Sequence, residues 1–402
     1  MAKSNVTTDF DPARCSGCGA CAQACPVGAI RMEEDAFGFL VPGVDAALCH
    51  GCGKCLRVCP FHTPPAPIRL ERPDVYAALH RDPGVVRAST SGGVFPALAG
   101  QVLRRNGVVF GAAMDAGFQV RHAWIERTED LPKLQKSKYV QSAIGDSYRQ
   151  TARFLGEGRD VLFSGTPCQV AGLLGFLGNR PRENLRTVEV VCHGVPSQRL
   201  FDDYRQVLEA KTGKISQYVF RCKSKADFGM KWYVGYQTAS RRTMKNWPED
   251  SFAYAYMKGL VYRDSCYQCP FAKPERMADV TLCDYWHWTS VHPRCFRRNA
   301  TVSGVMANTL TGQAMLSEIQ GEVECHESGF RRLAAHNSCL LKPISGNLAL
   351  RASLLSDWKR NGYAFVDARF RKTRRWQIAR FWMMRHVPDG CFRWARRLFH
   401  GH

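Results

Sequence analysis

From residue 74 to about residue 330 the chain alternates short apolar, β-branched runs with segments of helical spacing. Residues 75–79, 108–114 and 120–125 read as strands. Residues 161–164 and 188–191 are shorter β-branched runs of the kind a sheet buries on both faces. Residues 91–105 have helical spacing, with Ser91 at the N-cap position and Gly107 at the stop. Residues 146–155, 170–177 and 197–211 also read as helices, the last after Pro196. This alternation predicts an α/β core built on a mixed sheet. No apolar run reaches the roughly 18 residues of a transmembrane helix. No G-x-G-x-x-G follows the first strand and no Walker A motif occurs, so neither a Rossmann site nor a P-loop is expected.

The first sixty residues follow a different logic. Cys15, Cys18, Cys21 and Cys25 precede Pro26, and Cys49, Cys52, Cys55 and Cys59 precede Pro60. Both runs read C-x2-C-x2-C-x3-C-P, the bacterial ferredoxin spacing, in which the fourth cysteine serves the other cluster. Cluster one would take Cys15, Cys18, Cys21 and Cys59; cluster two would take Cys49, Cys52, Cys55 and Cys25. Gly17, Gly19, Ala20, Gly51 and Gly53 leave room for backbone amides to approach the sulfurs. A zinc site uses paired ligands rather than a triplet plus a fourth before proline. A disulfide framework fits poorly, because the chain is long, its cysteines are clustered, and the start MAKSNVTTDFDPARC has no apolar leader core. Two 4Fe–4S clusters are therefore expected, in an internal repeat with a short hairpin and a helical turn per run.

Composition then divides the chain. Residues 1–62 form the two-cluster unit, and the Pro-rich residues 63–73 read as a stiff linker. The core falls into an N-terminal part, 74–180, and a C-terminal part, 181–345, followed by a basic helical tail, 346–402. The net charge of +21 lies wholly downstream of the cysteine runs, since residues 1–62 hold five Lys/Arg against six Asp/Glu. Such an excess suits an anionic partner. Residues 369–402 hold ten Lys/Arg, one acid (Asp389), and interleaved Phe370, Trp376, Phe381, Trp382, Phe392, Trp394 and Phe399. Three readings fit this segment: an amphipathic helix on an anionic membrane surface, a segment that binds a polyanion, or a basic helix packed on its own body. The expected location is the cytoplasm, or its face of the membrane.

A second cysteine group lies in the core. Thr166-Pro167-Cys168-Gln169 follows one predicted strand and Cys192-His193-Gly194 follows another, which sets both thiols at strand carboxyl ends, where open α/β sheets bind ligands. Cys266-x2-Cys269 adds a pair. Cys168, Cys192, Cys266 and Cys269 are candidate ligands of a third 4Fe–4S cluster.

Six motifs in fixed order carry a resemblance: SGGVF at 91–95, KYVQS at 138–142, VLFSGTPCQ at 161–169, CHGVPS at 192–197, FRCK at 220–223 and DVTLCDYW at 279–286. From about residue 9 to about residue 345 the chain resembles the beta-subunit family of coenzyme F-420 hydrogenases and dehydrogenases, with a ferredoxin module in front. The resemblance implies a flavoprotein: an N-terminal two-cluster module, then a mixed-sheet α/β core that binds FAD without a Rossmann motif, then the basic tail. It assigns Ser91, Gly92 and Gly93 to the flavin loop, with Lys138, Tyr139, Gln141 and Thr166 beside it. Relatives carry glycine where this chain has Cys283 and His287, which leaves the substrate-facing loop open. Cys283 reads as a small core residue or an extra ligand.

The implied activity is that of an iron–sulfur flavoprotein oxidoreductase fed by ferredoxin or another low-potential donor. Its substrate would be coenzyme F-420, a pigment-type molecule or a compound of a polysaccharide pathway. The rival reading is a non-catalytic relay subunit docked on a larger dehydrogenase or hydrogenase. Nucleic-acid binding lacks any recognised motif, and a homo-oligomer is expected.

Overall fold

The computed structural model describes residues 4–66, 69–223, 232–292, 294–296 and 300–386, with side chains described as far as residue 379. Among the described residues thirteen strands form three sheets. β1 (Ile30–Glu34) and β2 (Leu40–Val44) make an antiparallel hairpin between the two cysteine runs. β3 (Asp74–His80), β4 (Val108–Met114), β5 (Val120–Ile125), β6 (Val161–Gly165) and β7 (Leu185–Val190) belong to the large sheet. β8 (Ile215–Cys222), β9 (Tyr233–Thr238) and β10 (Arg242–Asn246) form an antiparallel meander. β11 (Val280–Asp284), β12 (Ser303–Ala307) and β13 (Val323–Glu327) complete the large sheet, whose order is β13-β3-β12-β11-β7-β6-β4-β5.

β4, β6, β7 and β11 are mutually parallel and central, flanked by antiparallel edges. This is the predicted mixed sheet. Val108–Phe110 and Val161–Phe163 are wholly buried because both faces of the sheet are covered. One face packs Val109, Leu162 and Val188 against Leu98 and Val102 of the helix Val94–Arg104. The other packs Phe110 and Phe163 against the helix Pro167–Leu177 and, beyond it, Cys18, Val58 and Phe61 of the N-terminal module.

Several expectations are corrected. The cysteine runs share one hairpin rather than having one each; what repeats is a left-handed glycine before a short helix, Gly19 (φ 71°) before Ala20–Ala24 and Gly53 (φ 66°) before Lys54–Arg57. The helix expected from Ser91 starts at Val94, because Ser91 Oγ donates to Val302 O and Gly93 takes the cap position at φ 87°. The strand expected at 188–191 spans Leu185–Val190; its polar Glu189 is buried and paired, which hides the strand from hydropathy. Residues 67–68 of the predicted linker lie outside the described residues.

The C-terminal helical segment, Leu348–His386, breaks at Gly362 (φ 74°). Its Leu355, Trp358, Tyr363 and Val366 enter an aromatic core with Phe201, Tyr204, Phe220 and Phe252. Asp367 accepts from Lys211, Ser251 and Arg371, and Arg374 lies over the Tyr254 ring at 4.0 Å. The tail is thus docked on the body through Arg374, five residues past the expected start of the membrane segment. Trp376 beyond it is 76% exposed. Residues 387–402, with Phe392, Trp394 and Phe399, lie outside the described residues.

Candidate iron–sulfur and cofactor site

In the N-terminal module, Cys15, Cys18, Cys21 and Cys59 line one small apolar cavity with Val6, Phe10, Met32 and Phe61. This is the set that the spacing predicts for cluster one, including the crossover cysteine from the second run. Cys25 packs against a cluster holding Cys21 and Cys55, as the second crossover requires. Cys52 is exposed and Cys49 half-buried. Amides approach the sulfurs where small residues allow it: Gly17 N–H donates to Cys15 Sγ and Ala29 N–H to Cys25 Sγ, each at 3.3 Å. Burial pushes the Cys15, Cys18, Cys21 and Cys59 thiols up. All the described cysteines are free of disulfides. Among the described residues no three His, Cys, Asp or Glu groups converge as a single ion would require; the cysteines ring cavities.

The larger cavity, of about 1160 Å³, opens at the carboxyl ends of the parallel strands. Cys168, Cys192, Cys266 and Cys269 all line it, although they are scattered along the chain. Cys168 sits in the first turn of Pro167–Leu177, capped by Thr166 in a reciprocal box with Gln169. Its Sγ is 3.2 Å from Thr166 Oγ1. Cys192 follows β7, the parallel neighbour of β6, so both thiols lie on one sheet edge. Burial pushes Cys266 and Cys269 up to about 12. The loop after Cys269 is clamped by Arg276, which pairs with buried Glu189 and donates from Nη1 to Phe271 O (2.9 Å) and Lys273 O (3.1 Å).

Ser91, Gly93, Lys138, Tyr139, Gln141 and Thr166 line the same cavity. Gly92 does not: a methyl group there would lie 2.4 Å from Ala78 O, so its glycine serves backbone packing on β3. Tyr139 stacks among aromatic rings, 4.3 Å centroid to centroid from Tyr256. Lys138 donates to Gln135 O (2.6 Å) and Lys133 O (3.2 Å), and burial pulls it down to about 7. Lys223 donates to Val86 O and Ser91 O and is likewise pulled to about 7, by burial first and then Arg221. Gln141 spends its amide on Ser16 O (2.7 Å) and accepts from Arg263.

The two positions where the resemblance leads to an expectation of glycine hold Cys283 and His287. Cys283 pairs across the strands with Gly304, where a methyl group would lie 2.7 Å from its Sγ. The thiol fills the space that glycine leaves, and it bonds Gly304 O at 3.7 Å. His287 adopts φ 55°, a conformation that favours glycine, and its ring lies 4.3 Å from that of His336. Sequence reasoning missed Arg221, Arg263 and Arg276. Arg221 pairs with Asp284 and lies 5.4 Å from the Trp286 ring centroid. No spacing rule singles out an arginine whose partner lies 63 residues away, as for Arg221, or 248, as for Arg263.

The cysteine-rich module in front of the α/β core is that of an iron–sulfur electron-transfer protein. Residues 14–63 match the 4Fe-4S dicluster domain family, and residues 158–329 match the family of the C terminus of coenzyme F420 hydrogenase/dehydrogenase beta subunits. The chain thus combines, in this order, a region similar to a dicluster ferredoxin domain and a region similar to the C terminus of coenzyme F420 hydrogenase/dehydrogenase beta subunits. Among solved structures it is similar to a chain of the F420-reducing [NiFe] hydrogenase complex from Methanosarcina barkeri, at 17% identity and a TM-score of 0.44, over 72% of this chain and 88% of that chain. No curated protein matches the chain. No described helix is long and apolar enough to cross a membrane.

Proposed function

We propose that this chain is an iron–sulfur flavoprotein oxidoreductase. In this reading Cys15, Cys18, Cys21 and Cys59 hold one 4Fe–4S cluster, Cys49, Cys52, Cys55 and Cys25 a second, and Cys168, Cys192, Cys266 and Cys269 a third. The observation that carries it is that four cysteines from three separate segments line one cavity with Lys138, Tyr139 and Thr166. An all-thiolate donor set suits iron–sulfur clusters. The cavity exceeds the roughly 300–1,000 Å³ of most small-ligand sites, which leaves room for FAD beside a cluster. Lys138 would meet the pyrophosphate, and the Tyr139, Trp232 and Trp286 rings supply flat apolar surface for the isoalloxazine.

Bound FAD would exchange electron pairs with a substrate and single electrons with the clusters. The protein supplies position. The helix Pro167–Leu177 bridges the two cysteine groups: Cys168 stands at its start, and Gly172 lies so close to Cys18 that a methyl group there would be 3.1 Å from its Sγ. The strand ends fix Thr166 and Cys192, and the Arg276–Glu189 pair fixes the Cys266–Cys269 loop. The basic body favours an acidic donor such as ferredoxin, and F-420, a polyanion, suits the same cavity.

The test is iron and acid-released flavin per chain in protein purified without oxygen. Roughly 12 iron atoms and one FAD are expected. Roughly 8 iron atoms and no flavin, even after FAD is offered, would favour a two-cluster relay subunit instead.

A further inference from the structure

Arg263 is only 3% exposed, yet among the described residues no carboxylate lies within ion-pair distance of it. The other buried arginines of the cavity are paired, Arg221 with Asp284 and Arg276 with Glu189. Arg263 donates only to neutral acceptors: from Nη1 to Cys15 O at 3.1 Å, from Nη2 to Leu40 O at 2.8 Å and Gln141 Oε1 at 2.9 Å, and from Nε to Gln141 Oε1 at 3.1 Å. Its main chain is tied to the other cysteine group. Arg263 N–H donates to Val195 O, and Cys266 N–H donates to Arg263 O at 3.0 Å. One residue therefore touches the Cys15 loop with its side chain and Cys266 with its backbone. Gly17 is part of the same fit, since a methyl group there would lie 2.7 Å from Arg263 Nη2.

An isolated charge in the interior is costly unless something answers it. The Phe39 ring, 4.9 Å from the guanidinium, answers it only as a quadrupole; the cysteines nearby would answer it with a full negative charge once they hold a cluster. Arg263 lines the cavity that Cys168, Cys192, Cys266 and Cys269 line, and its guanidinium bonds the Cys15 carbonyl of the other set. We propose that Arg263 is the shared counter-charge of the two clusters held by Cys15, Cys18, Cys21, Cys59 and by Cys168, Cys192, Cys266, Cys269, raising the reduction potential of both while it locks the N-terminal module to the core. The inference rests on reading those two sets as cluster ligands. Reduction adds one electron to a cluster, and a fixed positive charge in a low-dielectric interior stabilises the added negative charge. Guanidinium keeps its proton throughout, so only the electron moves.

The experiment is an EPR-monitored redox titration of the full chain, loaded without oxygen, as wild type, R263K and R263Q, with iron counted in each. R263Q should lower two of the three midpoint potentials by at least a tenfold change in the reduction equilibrium, about 59 mV per one-electron step. R263K, which keeps the charge, should leave them near the wild-type values. Should R263Q fail to load, Q141E sets a carboxylate against the same guanidinium and should lower both potentials. Full iron with unmoved potentials in R263Q, or in Q141E where R263Q does not load, overturns the role of Arg263 alone. Roughly 8 iron atoms in the wild type overturns the third cluster, and with it the shared role.

Discussion

At the scale of single residues, the cavity's cations carry the most direct chemistry. Lys138 has no carboxylate partner among the described ion pairs, and two backbone carbonyls receive its protons. Burial holds it at about 7, so it is charged below that pH and neutral above it. Affinity for FAD should therefore fall as pH rises through about 7. K138M should weaken binding at pH 6 by about 1.5–3 kcal/mol, the worth of a hydrogen bond to a charged group, and flatten the profile. Fluorescence quenching of added FAD reads both; a K138M profile that superimposes on wild type assigns the pyrophosphate to other residues. The sequence marked Lys138 only through its motif. The depression itself comes from tertiary burial, which no spacing records. Arg263 was silent for the same reason: its acceptors on Cys15 and Leu40 lie more than 220 residues upstream.

At the scale of elements, the helix Pro167–Leu177 couples the module to the core through its glycines. A methyl group at Gly175 would lie 2.6 Å from Val58 O, and one at Gly172 would lie 2.7 Å from Tyr148 Oη. G175L should push the second cysteine run off the helix, at about 1–3 kcal/mol for overpacking. Thermal unfolding would show the loss, and electron transfer from a reduced donor to bound flavin should slow with it. Unchanged melting and rate would mean that the module is held elsewhere, above all by Arg263 and Gln141. This helix was legible in the sequence, as was β4, because their apolar runs are continuous, and β5 was legible from the β-branched residues at its two ends, Val120 and Ile125. β8 to β13 were not: Arg221, Lys245 and Glu324 interrupt short strands, and the meander buries tyrosines rather than aliphatic residues. The cysteine repeat was legible because its ligands lie within one turn of one another. The proposed third set was not legible: Cys168 and Cys192 come together through the β6–β7 pairing, and Cys266 and Cys269 reach the same cavity from a segment some 70 residues further on.

At the scale of the whole molecule, the C-terminal helix has two parts with different duties. Through Phe370 it is a structural clamp: Tyr363, Val366 and Phe370 are buried, and Asp367 gathers Lys211, Ser251 and Arg371. Past Arg374 the described side chains carry little burial, and Trp376 stands in solvent. Deleting residues 362–402 should therefore destabilise the body, since each large apolar side chain withdrawn from the core forfeits about 1.5–3 kcal/mol. Deleting residues 376–402 should leave the melting temperature and iron content at wild-type values. The second truncation also separates the membrane reading of the basic segment from the packed one. If it lies on an anionic surface, sedimentation with phosphatidylserine vesicles should vanish in the shorter chain while cluster spectra persist. Unchanged sedimentation would assign lipid contact to the body, and a lowered melting temperature would show that the segment past residue 376 is packed on the protein.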